Sequence, residues 1–349
     1  MTSAEELIPV REAHRFDEAA LAEYLRAHID GFSGDLTILQ FENGQSNPTF
    51  LLTAGGQEYV LRKKPPGKLL PTAHMVDREY RIITALRDTD VPVPKTYVLC
   101  EDDSVIGTAF YVMEYVRGRL IEDVTLKDFT PKERYKIYED MNRVMAALHT
   151  VDYEALGLTD FGKPGSYFER QYRRWTKQWE AAKTHEIPSM DRLIEWLPDN
   201  MPEDDTTCIV HGDFRLGNSL IHPTEPRIVA MLDWELSTLG HPLADLSYNC
   251  NLYHVDLPNS AGLRDLVGSE YGIPTEKEYV AMYCRRTGRN RIPRWNFYVA
   301  FSFFRLASIV QGVYARGLQG IASSSQALER GSYAAVFADK AWELAQQVD

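Results

Sequence analysis

His211-Gly212-Asp213-Phe214-Arg215-Leu216-Gly217-Asn218 is the stretch on which the reading of this chain turns. An apolar run, Cys208-Ile209-Val210, precedes it and a second, Ser219-Leu220-Ile221, follows, so the octapeptide reads as a turn carried between two short buried strands. Asp213 and Asn218 stand five residues apart. A third apolar run, Ile228 to Leu232, ends in Asp233, fifteen residues beyond Asn218. Taken alone, the turn is accounted for by Asp and Asn side chains that cap backbone groups.

The full set asks for more than capping. Transfer of a phosphoryl group needs a carboxylate that orients the attacking hydroxyl and takes its proton, and oxygen ligands that hold Mg²⁺ against the phosphates. Asp213 fits the first role, and Asn218 and Asp233 the second. Their spacing is that of the kinase catalytic loop H-x-D-x-x-x-x-N with its later metal-binding Asp. Arg215, two residues after Asp213, stands where protein kinases carry a lysine on the transferred phosphate; its plain reading is a surface arginine. His211 is read as a donor or acceptor to the backbone of its own loop. Asp245, in Gly240-His-Pro-Leu-Ala-Asp245, either holds that loop in shape or caps the helix that follows.

Upstream segments agree. In Tyr59-Val60-Leu61-Arg62-Lys63, strand alternation puts Val60 and Arg62 on one face, with Lys63 the alternative if the register shifts. The next helical pattern has Val76, Ile83 and Leu86 on an apolar stripe with Glu79 among them. A carboxylate there needs a partner or exposure, and Arg62 is the natural partner. Phe110 to Val116 offers an adenine ring the Glu114 carbonyl and the Val116 N–H, with Met113 behind it; its plain reading is an edge strand. Asn43 to Phe50 lacks G-x-G-x-x-G. Gly44, Ser46 and Asn47 there form either an ordinary hairpin turn or a tight turn offering donors to phosphate.

The 349 residues, 44% apolar and 25% charged, exclude a disordered or collagen-like chain. A net charge of −12 disfavours nucleic acid and anionic lipid as partners. Four scattered cysteines make no zinc-type spacing and no disulfide framework, which with an unremarkable N-terminus leads to the expectation of a cytoplasmic protein. The stretch from Phe297 to Val313 is interrupted by Ser302, Arg305, Ser308 and Gln311, so no membrane span is expected.

Residues 1–117 read as a β-rich nucleotide-binding part ending in a hinge: an opening helix (Phe16–Ile29), a helix at Thr72–Arg87 and five strands, with turns at Asn43-Gly44 and Gly55-Gly56. Residues 118–349 read as mainly helical, with helices at Pro131–Thr150, Tyr167–Lys183, Glu276–Gly288, Asn296–Gly317 and Ser324–Gln347 around a strand-like island. Trp234, Trp295 and Trp342 read as core. Two such parts suggest a ligand cleft.

Together, HGDFRLGN, IVAMLDWE, FENGQSNPTFLL, YVLRKKPPG and DREYRII resemble the aminoglycoside phosphotransferase/choline kinase family over Leu36 to Ala327. GQSNPTFLL and LRKKPPGKLLPTAHMVDREYRI are similar to the kinase-like domain that some animal proteins carry ahead of an acyl-CoA dehydrogenase. The resemblance implies an α+β, protein-kinase-like two-lobed fold, with a five-stranded antiparallel N-lobe and a mainly helical C-lobe. It implies ATP and Mg²⁺, with Asp213 as base and Asn218 and Asp233 as metal ligands. For the fused subgroup it implies a hydroxyacyl-CoA as the small-molecule hydroxyl acceptor.

Five arginines between Arg285 and Arg294 (with Arg286, Arg289 and Arg291) and the basic helix bearing Arg170, Arg173, Arg174 and Lys177 suit a polyanion such as coenzyme A, or else a solvated face paired with carboxylates. An aminoglycoside or other amino-alcohol acceptor is the alternative, and a nucleotide-binding scaffold without turnover is the third reading.

Overall fold

The computed structural model describes residues 7–42, 47–65, 75–256, 262–320 and 327–348. The chain opens with β1 (Leu7–Ile8), α1 (Glu18–His28), β2 (Thr37–Phe41), β3 (Thr49–Ala54), β4 (Gln57–Lys63), α2 (Val76–Leu86), β5 (Thr96–Cys100), α3 (Asp103–Ile106), β6 (Phe110–Glu114) and β7 (Arg119–Leu120). It continues through α4 (Pro131–Thr150), α5 (Tyr167–Ala182), α6 (Pro188–Trp196), β8 (Cys208–Val210), β9 (Ser219–Ile221), β10 (Ile228–Met231) and β11 (Thr238–Gly240). The last helices are α7 (Pro242–Cys250), α8 (Glu276–Thr287), α9 (Trp295–Leu318), α10 (Ala327–Gly331) and α11 (Ala334–Ala345).

These elements form two compact units. One runs to Glu122 and takes back Arg215–Ser237; the other comprises Asp123–Phe214 and the chain from Thr238 onward. The expectation was a single cut between 117 and 118. The chain instead crosses between units three times, because β7 pairs with β9 (Arg119↔Ile221, Leu120↔Leu220) and β9 with β10, which keeps the 215–237 segment in the first unit.

The first unit is built on an antiparallel sheet of order β1-β2-β3-β4-β6-β5. Five of these strands were expected; β1, two residues long, is too short to show a period. Gly55 and Gly56 join β3 to β4 with φ of 57° and 77°, the two positive values that a two-residue hairpin turn needs. Alternation then sorts the side chains. Phe50, Leu52, Tyr59, Leu61, Phe110 and Val112 form one core with Leu21 and Leu25 of α1. Val60, Arg62, Tyr111 and Met113 point to the other face, where they line a cavity. The expected turn at Asn43-Gly44 and the start of the helix expected from Thr72 lie outside the described residues.

The second unit is organised around α9, which packs against α5, α7, α10 and α11. By length and composition α9 is apolar enough to cross a membrane, but 67% of its most apolar window is buried inside the protein, as befits a central core helix. α4 and α8 each begin with a capping box, Thr130 with Glu133 and Thr275 with Glu278, which satisfies otherwise orphaned backbone donors. The helix expected over Ser324–Gln347 is two helices. Gly331 lies so close to Tyr314 that a Cβ there would sit 2.2 Å from the Tyr314 Cβ, and the chain turns at Ser332 onto Glu329. Trp234 is core, but Trp295 and Trp342 are half-buried: Trp295 donates to Glu276 and Trp342 lies beneath Arg192. All four cysteines are buried and free.

His241 caps α7, its Nδ1 accepting the Leu243 N–H at 3.2 Å. Burial pushes its pKa down to about 4, against the pull of Asp204. The unfolded chain therefore takes up this proton first as the pH falls, and stability is lost between about pH 6.5 and 4. His241→Asn keeps a capping oxygen and removes the titration. Thermal unfolding followed across that window is expected to fall less steeply for the variant than for the wild type.

Candidate active site

In the first unit the site is assembled around a buried carboxylate. Glu79 sits on the apolar stripe of α2 at 1% exposure, and Arg62 of β4 meets it with Nε 2.9 Å from Oε2. The partnership expected from the two patterns is the one formed. The choice between Arg62 and Lys63 follows from strand alternation: Lys63 lies on the opposite face over the Phe16 ring, where burial lowers its pKa. Glu79 also receives the Tyr111 hydroxyl at 2.9 Å and the Asn47 amide at 3.3 Å. Burial drives the Glu79 carboxyl upward, and Arg62 and Tyr111 oppose it. Burial would lower the Arg62 pKa, but Glu79, Tyr111, Asp233 and Glu235 outweigh it and keep the guanidinium charged.

Asn47, expected to offer its donors at a phosphate turn, is buried and gives its amide to Glu79. Ser46 lies outside the described residues.

The guanidinium reaches on to Asp233, Nη2 to Oδ1 at 2.9 Å, and to Glu235 at 3.8 Å. Asp233 adopts a left-handed backbone (φ 63°, ψ 58°), a conformation that costs free energy in a non-glycine residue and that marks many functional turns. Leu232 N donates to the Asn218 carbonyl at 2.8 Å, which brings the two expected metal-ligand segments side by side. Carboxylate oxygens of Glu79, Asp233 and Glu235 lie within 4.8 Å of one another. Three carboxylates so close make a hard-oxygen donor set of the type Mg²⁺ takes.

Beside these charges is a cavity of about 410 Å³. Val60, Met113, Leu120 and Leu220 supply apolar walls, Glu114 to Val116 runs along one edge, and Arg62 and Asp233 stand at its charged side. A flat apolar ring with a polyanionic tail matches that distribution. Arg215 pairs with Glu122 at 3.0 Å, directly over Gly217, where a Cβ would fall 2.3 Å from the arginine.

In the second unit, β8 delivers a tightly pinned loop. Gly212 has φ 85°, open to glycine without strain. Asp245 accepts from the His211 and Gly212 N–H groups at 2.6 and 2.9 Å, and Asn249 donates to the Phe214 carbonyl at 3.2 Å. His211 Nδ1 accepts the Asp213 N–H at 3.3 Å, the local backbone role expected of it. Tyr248 donates to Asp213 Oδ1 at 2.6 Å. Asp245 is no N-cap: it lies inside α7, which His241 caps. Burial pushes the Asp245 carboxyl up, but His149 and the His211 N–H hold it below the usual range. Tyr248, Asn249, Tyr111 and Glu235 were not singled out by the sequence reading. The spacing Asp245-x-x-Tyr248-Asn249, which puts three polar side chains on one helix face, was the available signal.

Three of the five arginines of the 285–294 segment turn to separate partners. Arg286 pairs with Glu139, Arg289 with Asp204 and Arg294 with Asn200, because α8 ends at Thr287 and Gly288 turns the chain away. From the basic helix, Arg170 binds backbone carbonyls and Arg173 pairs with Glu169, whereas Arg174 lies over the Trp175 ring.

The model of the phosphotransferase enzyme family matches residues 37–283. This chain belongs to that family. A solved structure from Ralstonia eutropha, described as a candidate aminoglycoside phosphotransferase, is 51% identical over 96% of this chain and all of its own, with a TM-score of 0.90. Aminoglycoside phosphotransferase APH(4)-Ia, solved with ADP and hygromycin B, shares the fold at 15% identity, with a TM-score of 0.60 over 94% of this chain and 98% of its own. The fold is thus the α+β, protein-kinase-like fold of the phosphotransferases. Acyl-CoA dehydrogenase family member 10 of Mus musculus is 48% identical over 97% of this chain. The chain spans 32% of that relative's length.

Proposed function

We propose that this phosphotransferase moves the γ-phosphoryl group of ATP to a hydroxyl of an acyl-CoA-type small molecule. The observation that carries the phosphoryl-transfer reading is the Arg62–Glu79 pair with Asp233 beside an apolar, nucleotide-sized cavity. The neighbour solved with ADP supports ATP as the donor.

In this reading Asp213 orients the acceptor hydroxyl and takes its proton as the new bond forms. Arg62, steadied by Glu79, offsets negative charge on the phosphates, and Glu114 and Val116 meet the base through their backbone. Asn218 and Asp233 would hold Mg²⁺, which when bound neutralises charge on the phosphate oxygens. Arg215 would add charge at the transferred group once released from Glu122.

The acyl-CoA acceptor is supported by the name and 48% identity of the mouse relative and by Arg174 and Arg305, which flank the Trp175 ring in the same unit as Asp213. A polycationic acceptor is the second reading. A cavity of about 510 Å³ in the second unit, bordered by Glu203 and Asp205 and by Glu169 and Asp204 with their arginine partners, favours it.

A thermal-shift panel separates the two: coenzyme A is expected to raise the Tm and kanamycin to leave it unchanged. A shift with kanamycin alone would reverse the assignment.

A further inference from the structure

The catalytic-type loop is held from one side by a single helix face. Asp245, Tyr248 and Asn249 of α7, at i, i+3 and i+4, bind the His211 and Gly212 N–H groups, the Asp213 carboxylate and the Phe214 carbonyl respectively. Three of these four contacts fix backbone. The Tyr248 hydroxyl alone among them touches a carboxylate oxygen of Asp213, at 2.6 Å. A second element supports it. Arg305 of α9 donates to the Gly212 carbonyl at 2.8 Å and lies between two rings, 5.5 Å from the Tyr248 centroid and 5.7 Å from that of Trp175. A cation over the face of a phenol withdraws electron density and strengthens the O–H as a donor. The same guanidinium therefore fixes the loop backbone and reinforces the hydrogen bond to its carboxylate.

We propose that Tyr248, backed by Arg305, is a positioning residue for phosphoryl transfer: it holds one oxygen of Asp213 and thereby fixes the carboxylate for the acceptor hydroxyl. The inference rests on the reading of Asp213 as the base. In the step it serves, the acceptor oxygen bonds to the γ-phosphorus, the bond from that phosphorus to the bridging oxygen breaks, ADP leaves with the electron pair, and the hydroxyl proton passes to Asp213. A carboxylate without that hydrogen bond would present its oxygens to that proton in fewer encounters, so the loss falls on kcat rather than on ATP binding.

The test is Tyr248→Phe in the full chain. ADP formation from Mg-ATP is followed with a 4-hydroxyacyl-CoA and, in parallel, with water as acceptor. The Asp213 carboxylate is followed through the ¹³C signal that Asp213→Asn removes. The expected result is a kcat lower by about tenfold with an unchanged KM for ATP, an unchanged Tm, and a displaced Asp213 signal. A signal that stays in place overturns the proposal, because it means no hydrogen bond to lose. A displaced signal with full kcat overturns it as well. Asp213→Asn inactive beside a fully active Tyr248→Phe sinks this inference alone, whereas Asp213→Asn with wild-type turnover sinks the base assignment and this inference with it.

Discussion

Asp213→Asn is expected to lower ATP-dependent phosphoryl transfer about a thousandfold while leaving nucleotide binding intact. The substitution keeps the side chain's size and its capacity to accept the Tyr248 hydroxyl, so the loop pinned by Asp245 and Asn249 is retained. What it removes is the proton acceptor. An amide oxygen is a far weaker base than a carboxylate, and the attacking hydroxyl then has nowhere to send its proton. The cavity beside Arg62 is built from residues such as Val60, Met113 and Glu114, none of which the substitution touches. Steady-state kinetics with ATP varied would read the effect as a loss in kcat at constant KM. Retained turnover would remove Asp213 from the chemistry.

Asp245→Ala is expected to do its damage through stability. The carboxylate is 1% exposed, accepts two backbone N–H groups and faces His149 at 3.4 Å. Truncation leaves two buried donors and a buried imidazole without their acceptor, for which a cost of about 3–5 kcal/mol is expected. Chemical denaturation would show it as a lower midpoint, and the surviving folded fraction would also turn over slowly, because the backbone of His211 and Gly212 is no longer held. A midpoint equal to the wild type would mean that water or a neighbouring side chain replaces the carboxylate at no cost. The pH dependence has a definite sign. Asp245 titrates below its ordinary range in the folded protein, so its contribution is present above the ordinary carboxylate pKa and is lost as the pH falls through the lowered one.

Much of the site could be read from the chain because its chemistry is concentrated in short motifs. The Arg62–Glu79 pair follows from two independent periodicities, a strand alternation and a helical stripe, each of which exposes an otherwise unexplained charge. The helix Pro131–Thr150 announces itself through Thr130, Pro131 and Glu133, which form its N-terminal cap. The contacts that escaped are those whose partner is far off in the chain. Tyr111 looks like an ordinary strand aromatic until its hydroxyl is found on Glu79, and Tyr248 like a helix-face tyrosine until it is found on Asp213. The arginines of 285–294 show the converse. Clustered in the chain, Arg286, Arg289 and Arg294 go to Glu139, Asp204 and Asn200, because local charge density says nothing of which partners the fold brings up. Asp245 lies inside its helix, not before it, because Pro242 at the first helical position is the start signal.

The proposed reaction is phosphoryl transfer from ATP to a CoA-linked hydroxyl with Asp213 as base. Its most direct test is mass spectrometry of wild-type protein incubated with ATP, Mg²⁺ and a pool of 3- and 4-hydroxyacyl-CoAs, aminoglycosides, choline and homoserine, with Asp213→Asn as the blank. A hydroxyacyl-CoA heavier by about 80 Da, one phosphoryl group, and absent from the blank is the result predicted. A phosphorylated aminoglycoside with every hydroxyacyl-CoA unchanged, or equal product from the Asp213→Asn protein, would contradict it.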